Sequence, residues 1–129
     1  MPANIKVGDV MRKSVVTVNP NDTVDKVVDA MVDLDIGSVI VAERQKPVGI
    51  ITDSNLLERV YSKHKDPRKL TAEEVMSHPL RTVDPETDIE EATQIMRDLE
   101  VKRLPVTTGS KLVGIVTSTD VIRYLLAQY

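Results

Sequence analysis

The sequence repeats itself. Shifted by 65 residues without a gap, Val10–Val60 falls on Val75–Leu125 with 14 identities in 51 aligned positions, where unrelated chains of average composition would share roughly three. Val10-Met11 falls on Val75-Met76, Thr17-Val18 on Thr82-Val83, Pro20 on Pro85, Met31 on Met96, Leu34 on Leu99, and Val48-Gly49-Ile50 with Thr52 on Val113-Gly114-Ile115 with Thr117. A copy of about 60 residues buries too little surface to be stable alone, so the duplication predicts one compact unit in which the copies pack on each other.

Within each copy the pattern predicts β-α-β-β-α, an α+β fold. A β-rich strip, Val15-Val16-Thr17-Val18 or Leu80-Arg81-Thr82-Val83, is closed by a proline. A helix follows, with Val24, Val27, Val28, Met31 and Leu34 at helical spacing in one copy and Ile89, Ala92, Ile95, Met96 and Leu99 in the other. Thr23 and Asp88 stand where caps are expected; Asp88 with Glu91 and Thr71 with Glu74 have capping-box spacing. Two short apolar runs then read as a hairpin, Ser38–Val41 with Val48–Ile51 and Leu104–Val106 with Val113–Val116. A last amphipathic helix carries Leu56, Leu57, Val60 and Tyr61, answered by Val121, Ile122, Leu125 and Leu126. The expected division is repeat one over 1–61, a charged, solvated linker over 62–70, and repeat two over 71–129.

Composition narrows the function classes. With 129 residues, 41% hydrophobic and 29% charged, the chain has an ordinary globular balance. It has no apolar run long enough for a bilayer, and MPANIKVGDVMRK lacks the layout of a signal peptide, so the expectation is a soluble, cytoplasmic protein without membrane contact. Zero cysteines remove disulfides, thiol nucleophiles and zinc–thiolate sites. A net charge of −3 without Phe or Trp argues against a nucleic-acid surface. His64 and His78 have no recognised metal spacing, and Met11, Met31, Met76 and Met96 read as core filling. Neither a Gly-x-Ser-x-Gly elbow nor a phosphate-binding Gly-x-x-x-x-Gly-Lys loop is present, so no catalytic residue is assigned and the protein is read as a non-enzyme.

Chemistry is expected where each second hairpin strand runs into a helix start, at Thr52-Asp53-Ser54-Asn55 and Thr117-Ser118-Thr119-Asp120. A helix amino terminus offers unpaired N–H groups and partial positive charge, which suits phosphate. The carboxylate three residues beyond the threonine has two readings. It can accept two ribose hydroxyls, as acidic side chains do in another fold, or it simply favours the positive end of a helix that the threonine caps.

Taken in order and twice, the Val-Met openings, the Thr-Val-x-Pro strips, Arg103-Leu104-Pro105-Val106 and the two Gly-h-h-Thr-x-x-Asn/Asp segments (h, aliphatic) resemble a tandem pair of cystathionine-β-synthase (CBS) domains, a Bateman module, from about Val7 to about Leu126. The resemblance implies two repeats about a pseudo-two-fold axis, packed through their sheets, that bind AMP, ADP, ATP or S-adenosylmethionine as a regulatory ligand in inter-repeat clefts, with no cofactor. It gives Asp120 the ribose hydroxyls and Thr117 the phosphate or ribose side of one site, with Thr52 and Asn55 in the matching places of the other. It sets Val15, Val16 and Thr17 with Ser38 and Val39 of the first copy against the adenine facing Asp120, and Leu80, Arg81 and Thr82 with Lys102, Arg103 and Leu104 as the mirrored wall. Lys102 and Arg103, which replace Gly37 and Ser38, suit phosphate; spacing leaves open which site they serve. A homodimer through the last helices, at Leu57, Tyr61, Ile122 and Leu126, and an effector protein of unknown identity complete the expectation, since these 129 residues hold no effector domain. The alternative is a ligand-free dimerisation scaffold.

Overall fold

The computed structural model describes residues 5–128; residues 1–4 of the amino-terminal stretch and Tyr129 lie outside the described residues. The fold is α+β. Its elements are α1 (Val7–Val10), β1 (Thr17–Val18), α2 (Val24–Leu34), β2 (Ser38–Glu43), β3 (Lys46–Thr52), α3 (Asp53–Leu56), α4 (Ala72–Val75), α5 (Ile89–Leu99), β4 (Arg103–Thr108), β5 (Lys111–Thr117) and α6 (Ser118–Ala127). A π-helical turn over Leu57–Tyr61 continues α3, and a 3-10 turn covers Pro67–Lys69. The 65-residue offset carries through: α1 answers α4, α2 answers α5, and β2-β3 answers β4-β5 residue for residue.

Two compact units form, and their boundaries do not follow the sequence copies. One is Val16–Leu80; the other joins Met1–Val15 to Arg81–Tyr129. Each unit therefore takes its opening helix from the other copy. In the discontinuous unit, α1 docks through Val7 N–H to the Thr87 carbonyl (2.8 Å) and Gly8 N–H to that of Pro85 (2.9 Å). The contiguous unit repeats this with α4, where Ala72 N–H donates to Asp22 (2.8 Å) and Glu73 N–H to Pro20 (3.0 Å). The residues after each opening helix close a two-bond bridge onto a β-strand, Arg12 with Ile115 and Ser77 with Ile50.

Each unit has its own apolar core. Val24, Val27, Met31, Val39, Val41 and Ile51 are buried with Ala72 and Val75 from α4; Val83, Ala92, Met96, Leu104, Val106 and Val116 are buried with Val7 from α1. Met31 and Met96 are core residues as expected, and Met76 and Met11 pack at the edges of these clusters. Leu34 and Leu99, the last members of the helical stripes, are instead exposed, because each helix ends there on a left-handed residue, Asp35 or Glu100. Leu57 (60% exposed), Tyr61 (77%), Ile122 (55%) and Leu126 (70%) are also open; burial within the chain does not account for them.

The hairpins form as expected, with matching bulges at Val41/Ala42 and Val106/Thr107. The strips before them do not form equally. Thr17–Val18 pairs with β2 as a parallel strand, whereas Leu80–Val83 is reduced to one bridge, Val83 with Val106. The reason is Pro105. In the first copy Ile40 N–H donates to the Val16 carbonyl at 3.1 Å; the equivalent Pro105 has no N–H to offer Arg81. The β2-β3 turn also departs from the usual residues: Arg44 and Gln45 both take positive φ, 52° and 69°, in a loop where Asn-Gly is the common choice.

Helix starts were anticipated better in position than in chemistry. Thr23 and Asp88 are the N-cap residues of α2 and α5, yet neither side chain caps. The Asp88 carboxylate is held by the Lys6 ammonium at 2.8 Å, which raises the Lys6 pKa by hydrogen bonding and then by charge. The Thr71–Glu74 box does form, with Thr71 N–H donating to Glu74 at 3.0 Å. The 62–70 segment is largely exposed, but its end is docked, since the Leu70 carbonyl accepts from Val24 N–H at 2.9 Å. Within it Arg68 hydrogen-bonds Asp66 and holds that carboxyl below its ordinary range.

A Cβ at Gly114 would stand 2.6 Å from the Met11 Sδ and 2.9 Å from the Arg12 carbonyl oxygen. Gly114→Ala is accordingly expected to lower stability by about 1–3 kcal/mol in urea melts. Lys6→Met should lower the melting temperature at neutral pH. Because folding raises the Lys6 pKa above 10.5, that difference is fully present below 10.5 and closes as pH rises through the raised value.

Candidate functional site

The two strand-to-helix turns share one local design. Thr117 ends β5 in an extended conformation and its hydroxyl accepts from Asp120 N–H at 3.1 Å, while Asp120 Oδ2 accepts from Thr117 N–H at 3.1 Å. Thr52 and Asn55 do the same, with Asn55 N–H to the Thr52 hydroxyl at 3.2 Å and Thr52 N–H to Asn55 Oδ1 at 3.0 Å. These are reciprocal capping boxes. Neither sequence reading of the third residue beyond the threonine included a reciprocal cap, yet its side chain reaches back to the N-cap N–H, as a carboxylate or amide at that place can. Asp120 also lies where its charge meets the positive end of α6.

The turns differ in what covers the third residue. Asp120 Oδ1 accepts from Arg12 Nε at 3.0 Å, and its side chain is only 6% exposed, against 51% for Arg12. Asn55 Oδ1 faces the Ser77 hydroxyl at 3.4 Å, and Asn55 is partly open. Arg12 and Ser77 are the same repeat position, each presented by the bridge described above. Sequence reading assigned no role to Arg12, although the copies differ there as they do at 37/102, 38/103 and 55/120.

The structure gathers Thr117, Asp120, Arg81, Thr82, Lys102, Arg103, Leu104 and Val15 in the discontinuous unit. Arg103 lies opposite Thr117 in the ladder, and the Lys102 carbonyl accepts from Ser118 N–H at 2.9 Å. Thr52, Asn55, Val16, Thr17, Ser38, Val39 and Leu80 belong to the contiguous unit, with Ser38 opposite Thr52. Val39 and Leu104 have their side chains buried in the cores, so they can offer a ligand only backbone. Thr82 faces Thr107 through their hydroxyls at 3.4 Å. An open depression of about 600 Å³ on the contiguous unit is lined by residues including Asp22, Glu43, Arg44 and Glu73, but by neither Thr52 nor Asn55.

The family model described as "CBS domain" matches this chain twice, at residues 7–62 and 72–127. The chain belongs to the CBS-domain family. An uncharacterised protein of Methanopyrus kandleri is 36% identical over 129 residues, covering 96% of this chain and 66% of that one. Hypoxic response protein 1 of Mycobacterium tuberculosis is 30% identical over 118 residues, covering 91% and 82%. A CBS domain pair solved in complex with 5′-methylthioadenosine and S-adenosyl-L-methionine superposes with a TM-score of 0.87 at 23% identity, covering 98% and 99%. The chain spans just under two thirds of the Methanopyrus relative and 32% of a Methanocaldococcus jannaschii one. CBS domains are in general regulatory rather than catalytic. Among the described residues of this CBS pair, no helix is long and apolar enough to cross a membrane.

The capping geometry gives a direct test. Thr117→Ala should cost about 1 kcal/mol in denaturant melts, and Thr117→Ser much less, because only the hydroxyl acceptor matters to the cap.

Proposed function

We propose that this CBS pair is a regulatory module that binds an adenosine-containing ligand at the β5-to-α6 turn and signals its occupancy to a partner protein. The observation that carries the reading is Asp120. A buried carboxylate, fixed by Thr117 N–H and Arg12, stands at the amino end of a ten-residue helix beside the backbone of Lys102 and Arg103. A carboxylate so placed accepts the hydroxyls of a ribose, and the neighbouring cations and helix end suit its phosphate. The ligand-bound CBS pair of the same fold supports the adenosine class at the level of fold. AMP, ADP, ATP and S-adenosylmethionine are the ligands to try. The module acts as a cytoplasmic homodimer in this reading, using the exposed apolar residues of its last helices.

The Thr52–Asn55 turn is the weaker ribose reader, because hydrogen bonds to a charged group are stronger than those to a neutral amide. That turn is also what favours a second reading, in which the pair is a ligand-free scaffold: it lacks a carboxylate, and its neighbours Gly37 and Ser38 carry no charge.

Isothermal titration of the four ligands tests the proposal. Asp120→Ala is expected to weaken binding about tenfold or more, and Asn55→Asp to strengthen the second site. Heat from no ligand, in protein stripped of co-purified nucleotide, would put the scaffold first; binding unchanged in Asp120→Ala would move the ribose site elsewhere.

A further inference from the structure

We infer that Arg12 is a specificity-determining residue of the Asp120 site, making it select phosphorylated over neutral adenosine ligands; the inference rests on the adenosine-binding reading. Both Asp120 oxygens are engaged, Oδ2 by Thr117 N–H at 3.1 Å and Oδ1 by Arg12 Nε at 3.0 Å, in a side chain that is 6% exposed. A vicinal diol needs an open carboxylate edge. The Thr117 bond belongs to the helix cap, so the guanidinium is the group that has to leave, and Arg12 is half exposed and held to the carboxylate through Nε. The other unit supplies the comparison. Ser77 stands on the equivalent bridge and cannot cover its neighbour as a guanidinium does, and Asn55 is partly open where Asp120 is buried.

Displacing Arg12 has a different outcome for different ligands. A neutral nucleoside breaks a charge-assisted hydrogen bond and leaves the guanidinium only water. A nucleotide brings an acceptor that the freed guanidinium can grip in bidentate fashion, beside Lys102 and Arg103. At the Asn55 turn the corresponding residues, Ser77, Gly37 and Ser38, carry no charge, so no such selection operates there.

Calorimetry of the full chain with AMP and with adenosine tests this, comparing wild type, Arg12→Ser and Arg12→Lys, with Asp120→Ala to identify the heat of this site and Arg12→Gln as the neutral variant should the serine protein fail to fold. The wild type should prefer AMP over adenosine at the Asp120-dependent site. The neutral variant should shrink that preference about fivefold or more, through tighter adenosine and weaker AMP binding, while Arg12→Lys, which keeps the charge but loses the bidentate fork, should fall between it and wild type. An unchanged preference, with both ligands still bound, overturns the role of Arg12 and leaves the adenosine reading standing. Absence of Asp120-dependent binding by either ligand, in folded wild type and variant alike, overturns both.

Discussion

Each unit depends on a short opening segment closing over a glycine. Met11 packs toward Gly114 and Met76 toward Gly49, and the two-bond bridges that follow fix Arg12 against Ile115 and Ser77 against Ile50. The missing Cβ lets the Arg12 backbone and Met11 close on Gly114, and leaves room for the Met76 side chain over Gly49. The bridge then decides which side chain reaches the strand-to-helix turn. A packing requirement in the core thus sets the chemistry at the surface, since the residue after each methionine is delivered to the cap of the neighbouring helix.

That delivery makes the two turns unlike while their backbones stay alike. Four repeat positions meet at each: Arg12, Lys102, Arg103 and Asp120 in one unit, Ser77, Gly37, Ser38 and Asn55 in the other. Every member of the first set carries charge and none of the second does. Arg12 meets the Asp120 carboxylate directly, while Lys102 and Arg103 join the turn through their backbone, next to the positive amino end of α6. The second turn keeps the hydrogen-bond pattern without the charged side chains. A duplicated fold can therefore carry two electrostatically distinct turns at no cost in backbone geometry.

Periodicity made the helices and hairpins legible, because amphipathic spacing and turn spacing are local properties. The 65-residue repeat also forecast which residues would be equivalent, and the bulges found in the structure fall at such equivalent positions. What stayed hidden was non-local. The exchange of opening segments between copies has no sequence mark of its own, so Arg12 looked like an ordinary charged loop residue. The shortening of the second copy's first strand turned on one proline in its partner strand, visible only once the pairing is known. The capping role of Asp120 was legible from Thr-x-x-Asp, a spacing recognised at Thr71–Glu74 and passed over here in favour of the ribose. Leu34 and Leu99 fitted their helical stripes and still emerged into solvent, since the stripe outlasts the core it faces.

The exchange of opening segments has a consequence for how such a chain could arise. A single copy standing alone would have an opening arm that fits a groove like its own, and a groove waiting for an arm of the same kind. Two separate copies would satisfy each other by trading arms, which is the arrangement of a domain-swapped dimer. Joining them end to end keeps the trade and makes it intramolecular, so that each arm finds its groove at the effective concentration set by a tether rather than by the cell. Once joined, the two arms are free to diverge in sequence, a liberty that identical subunits never have.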